Sequence, residues 1–366
     1  MNYKQRIRAI QARLRRNQID ALLVSQPENR RYLCGYSASD HSINESSGFL
    51  LIHARQDPWL LTDFRFQQQA EAEAKDCRVE PYPKGLLKLL NQLLPDLGIR
   101  SLAFESHYTL HDTTQKLAIM AEKLAINLRP LSGWIEALRL IKDKDEIDRI
   151  RAAVILNEQI FQHVHQTIQP GQTEIEVALA LENRMRTQGA EGPSFETIVA
   201  SGPNSALPHA VPGVTAIQAN QPLMIDMGLI LDGYCSDMTR TFVAGVTDVK
   251  YLKIHRLVRK AQLAAQAEIR AGIPAAKVDH IARKIITDGG YGDAFGHALG
   301  HGVGLAVHED PRLSARNRSH LKAGMVITVE PGIYLPGWGG VRLENMVVVS
   351  EDGCEILNQD HTGLDL

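Results

Sequence analysis

Leu223-Met224-Ile225-Asp226-Met227-Gly228 sets one carboxylate inside a near-continuous apolar run. Such runs belong to strands covered on both faces, where an ionised group meets little water. Three further acids stand in similar company. Asp237 follows in Gly-Tyr-Cys-Ser-Asp-Met-Thr-Arg-Thr, Glu330 ends the strand-like Met325–Val329 just before Pro331-Gly332, and Glu344 lies in Val341-Arg342-Leu343-Glu344-Asn345, ahead of Met346–Val349. Four ionised carboxylates cannot be buried uncompensated in a marginally stable fold. They must be protonated, paired with arginine, or neutralised by cations. Arg240 and Arg342 are placed to offset two of the charges, whereas two divalent ions would set +4 against −4.

The stretch Gly296–Glu309, GHALGHGVGLAVHE, adds His297, His301 and His308 among Gly296, Gly300, Gly302 and Gly304. Glycines let backbone approach a ligand closely, and imidazoles among them suit metal ligation or proton transfer. A histidine beside carboxylates points to Mn²⁺, Co²⁺, Zn²⁺ or Fe²⁺ in place of Mg²⁺. Other chemistries find no support. Gly300-x-Gly302-x-Gly304 runs on to Leu305 and is no dinucleotide cradle, and the chain contains no GKS or GKT, HExxH or GxSxG.

Length suggests two domains for the 366 residues. Tyr3 to Asn17, with Ile7, Ile10 and Leu14 at helical spacing, patterns as an amphipathic helix. DALLVSQ (20–26), GFLLIHA (48–54), WLLTDF (59–64) and SLAFES (101–106) then read as strands alternating with helices, an α/β domain. Asp40-His41 and His107 are isolated there and read as solvated or capping groups, with no acid-plus-histidine cluster. The turn-rich Pro130–Gly133 marks the boundary, giving domains 1–132 and 133–366. Beyond it, residues 138–168 pattern as one long helix and Thr173 caps another. His163 and His165 are two apart on the first, face different ways and read as structural.

Forty Lys plus Arg against 42 Asp plus Glu leave a net charge of −2, so no global basic field recruits nucleic acid. No stretch approaches the ~20 apolar residues of a membrane span, and the N-terminus has no apolar signal core; a cytoplasmic location is expected. Cys34, Cys77, Cys235 and Cys354 are widely spaced and read as reduced thiols.

IVASGPNSALPHA (198–210), IDMG…GYCSDMTRTF (225–242), HALGHGVGLAVHEDPRL (297–313), ITVEPGIYL (327–335) and VRLENM (341–346) together resemble the pita-bread metallopeptidases, in their aminopeptidase P and prolidase branch. SSGFLLI and LLTDFRFQQQA resemble, more weakly, the creatinase-type leading domain of the same proteins. The resemblance implies a creatinase-type α/β domain followed by an α+β pita-bread catalytic domain. It implies two divalent ions per subunit, Mn²⁺ foremost, held by Asp226, Asp237, His301, Glu330 and Glu344, with Asp237 and Glu344 bridging. A hydroxide between the ions would be the nucleophile. Glu330 would act as general base, His308 would steady the developing oxyanion, and His209 would assist proton transfer or substrate orientation. His297 would shape a pocket for the proline ring, Arg312 would meet a substrate carboxylate or peptide end, and Arg342 would fix Glu344.

Two departures from the family pattern, Ala306 and Asn345, are not at ligand positions, so altered tuning around the metals is expected and not loss of metal. The five ligand types are intact, which argues against the metal-free creatine-hydrolysing relatives. The leading expectation is an Xaa-Pro aminopeptidase that releases the residue before proline from proline-containing peptides. The alternative is an Xaa-Pro dipeptidase (prolidase), and the reading from another class is a non-catalytic metal-binding scaffold. The resemblance also implies a homodimer.

Overall fold

The computed structural model describes residues 2–359 apart from His41 and Lys75, so the expectation at His41 lies outside the described residues. The chain divides into two compact units, Met1–Arg139 and Leu140–Leu366.

The first unit is built on a six-stranded sheet. Its strands are β1 (Ala21–Val24), β2 (Phe49–His53), β3 (Trp59–Thr62), β4 (Arg78–Pro81), β5 (Ser101–Glu105) and β6 (Asn127–Leu131), in the spatial order β4-β3-β2-β1-β5-β6. β1 runs parallel to β5 and β5 to β6, while β2 is antiparallel to β1. Every residue of β1 and β5 is buried, which their apolar composition requires. Tyr3–Arg16 is the expected amphipathic helix, burying Ile7, Ile10 and Leu14. Pro27–Cys34 is a helix the periodicity did not announce; Pro27 opens it and Gly35, at φ +81°, closes it.

Two expectations for this unit are corrected. Asp40 is not solvated: its side chain is 3 % exposed and pairs with Arg30, whose own is fully buried, at 2.6 Å, while Ser47 donates to it from backbone and hydroxyl. His107 is not isolated: Glu105, His107 and Glu136 bring ligand-type atoms within 4.8 Å of one another. Glu105 is already occupied there, accepting from the Ser25 and Gln26 amides and from Asn29 at the mouth of helix Pro27–Cys34, so the cluster reads as a helix-end tie. Arg30→Met, which would leave Asp40 buried alone, is expected to destabilise the protein by about 3–5 kcal/mol. Urea denaturation measures this, and an unshifted midpoint would refute it.

In the second unit, Pro222–Met227 lies between Ile198–Ser201 and Met238–Val243 in an antiparallel sheet. A five-stranded sheet runs Glu309–Leu313, Gly300–Gly302, Val326–Val329, Asn345–Val349 and Cys354–Ile356 in spatial order, and Gly332–Leu335 pairs with Gly339–Arg342. Helices Lys144–His165 and Glu174–Thr187 contribute Ile160, Phe161 and Leu181 to a core with Leu223 and Ile225. Helices Val249–Glu268 and Ala275–Asp288 contribute Ile254, Val258 and Val278 to a core with Ile327, Val329 and Val347. The unit is thus α+β, as expected. No helix among the described residues is long and apolar enough to cross a membrane.

The single helix expected over 138–168 is two. Glu136–Arg139 ends the first unit, and Lys144–His165 starts afresh with Asp143 as N-cap in a capping box with Glu146. The Lys142 amide is drawn away from helical geometry to the Gly324 carbonyl, 2.9 Å distant. His165 packs against Phe242, ring centroids 4.5 Å apart, and His163 bonds Arg184, so the two do face different partners.

Candidate metal centre and active site

Each expected ligand enters from a different element, and the antiparallel registers bring them together. Asp226 sits in the middle strand of the three, opposite Thr239 of Met238–Val243. Asp237 immediately precedes that strand, and Glu344 follows Gly339–Arg342. His301 lies within Gly300–Gly302, and Glu330 directly follows Val326–Val329. The glycines around His301 answer a close approach: a Cβ at Gly300 would stand 2.1 Å from the Thr328 carbonyl oxygen, and one at Gly302 would stand 2.2 Å from that of Asp310.

Asp237, His301 and Glu344 each offer a ligand atom within 4.8 Å of the other two. Nε2 of His301 is 3.6 Å from Oδ2 of Asp237 and 3.4 Å from Oε1 of Glu330. Its Nδ1, 3.0 Å from the Gly302 carbonyl, must carry the proton there, because a carbonyl only accepts. Burial pushes His301 down to about 4, so Nε2 keeps its lone pair at neutral pH.

The carboxylates are strained by each other's presence. Burial first, then Glu344, Asp226 and Glu330, raise Asp237 well above the usual range. Burial, followed by the charges of Glu330 and Asp226, does the same to Glu344. Glu330 is pushed up to about 8 by burial and Asp226, against the lowering pull of Arg342. Oδ1 of Asp226 is buried with no hydrogen-bond partner. An orphaned carboxylate oxygen beside three acids that resist ionisation, with one neutral imidazole, is a donor set suited to divalent cations. The residues therefore fit a pair of divalent ions.

The two arginines do not behave alike. Arg342 bonds Asp226 through Nη2 and reaches Glu344 only by way of Thr239: its Nε donates to the Thr239 hydroxyl at 3.0 Å, which donates to Glu344 at 2.7 Å. Arg342 thus fixes Asp226 directly and Glu344 through Thr239. Arg240 reaches the backbone around the ligands. Its Nη1 donates to the backbone carbonyls of Thr239 and Glu344, and its Nη2 lies 4.0 Å from the Glu158 carboxylate.

These groups open into a cavity of about 520 Å³, which His209, His297, His308, Arg312, Phe195 and Ile198 also line. His308 meets His301 edge to face, ring centroids 4.4 Å apart. His209 and Arg312 are exposed, and the Pro208 carbonyl beside His209 accepts from Arg342. His297 is held by Tyr334, whose hydroxyl lies 2.9 Å from Nε2 and 2.8 Å from Arg342 Nη1. Burial, then Arg342, push His297 down to about 4. All ten expected site residues thus line one cavity. Sequence reasoning missed Thr239, Thr328 and Tyr334. Thr239, on the same strand face as Asp237, was the one with a readable signal, from period-two alternation.

Residues 148–351 match metallopeptidase family M24, and residues 6–141 match the creatinase/prolidase N-terminal domain. The chain belongs to metallopeptidase family M24, a family of peptide-bond hydrolases. The Xaa-Pro dipeptidase of Pyrococcus horikoshii is 35 % identical over 347 residues, 94 % of each chain. A solved Xaa-Pro dipeptidase from Bacillus anthracis superposes with a TM-score of 0.90 at 36 % identity, covering 98 % of each chain. A solved X-Pro aminopeptidase from Thermotoga maritima gives 0.85 at 36 % identity, covering 95 % of this chain and 98 % of its own.

Proposed function

We propose that this protein is a metal-dependent Xaa-Pro dipeptidase, cleaving the bond before a C-terminal proline. The observation that carries the reading is the joining of four carboxylates and His301 in one cavity with Arg312 and His297. The dipeptidase names of the Pyrococcus and Bacillus relatives favour it over the aminopeptidase, and the Thermotoga structure keeps the aminopeptidase as the second reading.

Asp226, Asp237, His301, Glu330 and Glu344 would hold two divalent ions, Mn²⁺ being proposed because the donors mix carboxylate oxygen and imidazole. Bound there, the ions supply Lewis-acid activation of water and of the scissile carbonyl. Glu330 takes up a proton on its carboxylate and returns it to the leaving proline nitrogen. His308 donates to the carbonyl oxygen as charge develops on it. Arg312 pairs with the substrate's carboxylate, His209 orients the substrate at the cavity mouth, and His297, backed by Tyr334, walls the proline ring. An Xaa–Pro bond has no N–H, so a pocket that grips the ring and acts on the carbonyl does without the donor that ordinary peptidases use. A homodimer is proposed from the family resemblance. Four free cysteines suit a reducing, cytoplasmic setting, which is proposed with it.

The test compares Ala-Pro with Ala-Pro-Ala on protein stripped of metal and reloaded with Mn²⁺ or Co²⁺, following released alanine. Release from the dipeptide alone is expected. Release from the tripeptide would establish the aminopeptidase, and release from neither would refute the peptidase reading.

A further inference from the structure

Helix Ala275–Asp288 carries a pair of residues that no part of the proposed chemistry uses. Asp279 is fully buried, and Arg283, one turn on, grips it with both faces of its fork: Nε to Oδ2 at 2.9 Å and Nη2 to Oδ1 at 2.8 Å. An i,i+4 pair on a helix surface is ordinarily worth little. This one differs in where its remaining bonds go. Nη1 of Arg283 donates to the Phe295 carbonyl at 2.8 Å, Nη2 donates to the His297 carbonyl at 2.8 Å, and Asp279 Oδ1 accepts from the Leu299 amide at 3.1 Å.

Three backbone groups in five residues are thus fixed by one ion pair, on the segment that carries His297 and leads into His301. The segment is anchored at its ends, where Phe295 and Leu299 are buried in the core and the Leu299 amide also donates to the Leu313 carbonyl at 2.8 Å, and the ion pair holds what lies between. A Cβ at Gly296 would meet nothing within 4 Å, so side-chain packing does not define the chain there. The contact continues through the rings. The Arg283 guanidinium lies 4.3 Å from the Phe295 ring centroid, and that ring meets His297 at 5.0 Å and 89°. His297 in turn reaches Tyr334, and Tyr334 reaches Arg342.

We propose that Asp279 and Arg283 are positioning residues that set the ring-binding wall of the substrate pocket from outside it, by fixing the backbone on which His297 stands. The inference rests on the reading of His297 as a wall for the proline ring. It makes ring selectivity depend on a helix that touches no substrate. A bidentate fork that also satisfies two carbonyls is specific to arginine, because lysine offers one point of contact in place of a plane of five donors.

Arg283→Gln is the informative variant: it removes the two-carbonyl fork and leaves buried Asp279 with the Leu299 amide and the glutamine amide as donors, so the thermal melt is read beside the kinetics. Metal-loaded wild type, Arg283→Gln, Arg283→Lys and His297→Ala are compared on Ala-Pro and on alanyl-N-methylalanine, which also lacks the N–H but has no ring. Metal content and thermal melts are recorded for each. Misplacing a substrate-contacting wall by about an ångström costs on the order of 10–100-fold in efficiency. Arg283→Gln is therefore expected to raise KM for Ala-Pro ~10-fold with kcat little changed, and to shrink the preference for Ala-Pro by a similar factor at unchanged metal content. Arg283→Lys should recover only part, and it carries the same comparison if Arg283→Gln loses its cooperative melt. Unchanged KM and unchanged preference, or a fall confined to kcat, would overturn the proposal. If His297→Ala itself keeps the ring preference, the reading of His297 has failed and the inference falls with it; if His297→Ala loses the preference while Arg283→Gln keeps it, only the clamp has failed.

Discussion

Glu330→Gln is expected to lower kcat for Ala-Pro by ~10²–10⁴-fold while the protein keeps its fold and binds substrate with little change in KM. The amide matches the carboxylate in size and can still accept from Thr328, which donates to Oε1 at 3.2 Å. What it loses is the ability to carry a proton, and one of the charges that would hold an ion. Structure should not suffer. Glu330 stands among Asp226, Asp237 and Glu344, and burial first, then the neighbouring acids, raise Asp237 and Glu344 as well. A glutamine is neutral without having to take up a proton on folding, so the metal-free variant should melt no lower than metal-free wild type at neutral pH. Steady-state kinetics, metal content and melting curves separate the effects. Near-wild-type turnover would remove Glu330 from the proposed chemistry. A collapsed melt would mean its role is structural.

Much of this centre was legible because it violates a rule. An acid in Leu223–Gly228 or at the end of Met325–Val329 contradicts its surroundings, and the contradiction is what marks it. That rule does not reach Asp40. Its neighbours Ser39, Ser42 and Ser46 look like an ordinary polar loop, and nothing local announces that Arg30, ten residues earlier, is buried beside it. Arg240 and Arg342 were equivalent in sequence, each a strand residue near a carboxylate. Only the strand registers decide that Arg342 turns to Asp226 while Arg240 is spent on carbonyls. Asp279 and Arg283 were hidden for the opposite reason. At i and i+4 in an amphipathic helix they look like a solvated surface pair, and the loop that buries Asp279 comes from residues 295–299. The expected helix over 138–168 ran too far because its apolar periodicity continues through Leu140 and Ile141, whereas the break is made by the Asp143 cap and by a hydrogen bond from Lys142 to distant Gly324. Local pattern identifies what a residue is compatible with; partners brought by long-range pairing decide what it does.

The metal-free protein is expected to lose stability as pH rises from about 5 to 8, the reverse of ordinary acid denaturation. Glu330 titrates near 8 in the fold, against 4.5 for an unperturbed glutamate, and Asp237 and Glu344 are raised in the same direction. Between the ordinary value and the raised one, the folded protein holds protons that the unfolded chain has released. More protons are bound in the native state, so unfolding becomes easier as pH climbs. The contribution is complete below about 4.5, where both states are protonated, and is gone once pH has passed about 8. Divalent ions would take the place of those protons. Loading should flatten this part of the pH dependence, raise the melting temperature most at the alkaline end, and release protons that a weakly buffered titration can count. A gap between loaded and stripped protein at least ~5 °C wider at pH 8 than at pH 5 is expected, since one kcal/mol moves the midpoint of a unit this size by ~2–4 °C. If the stripped protein instead gains stability across that range, the acids are ionised and compensated without metal. The case for a two-ion centre would then lose its electrostatic basis.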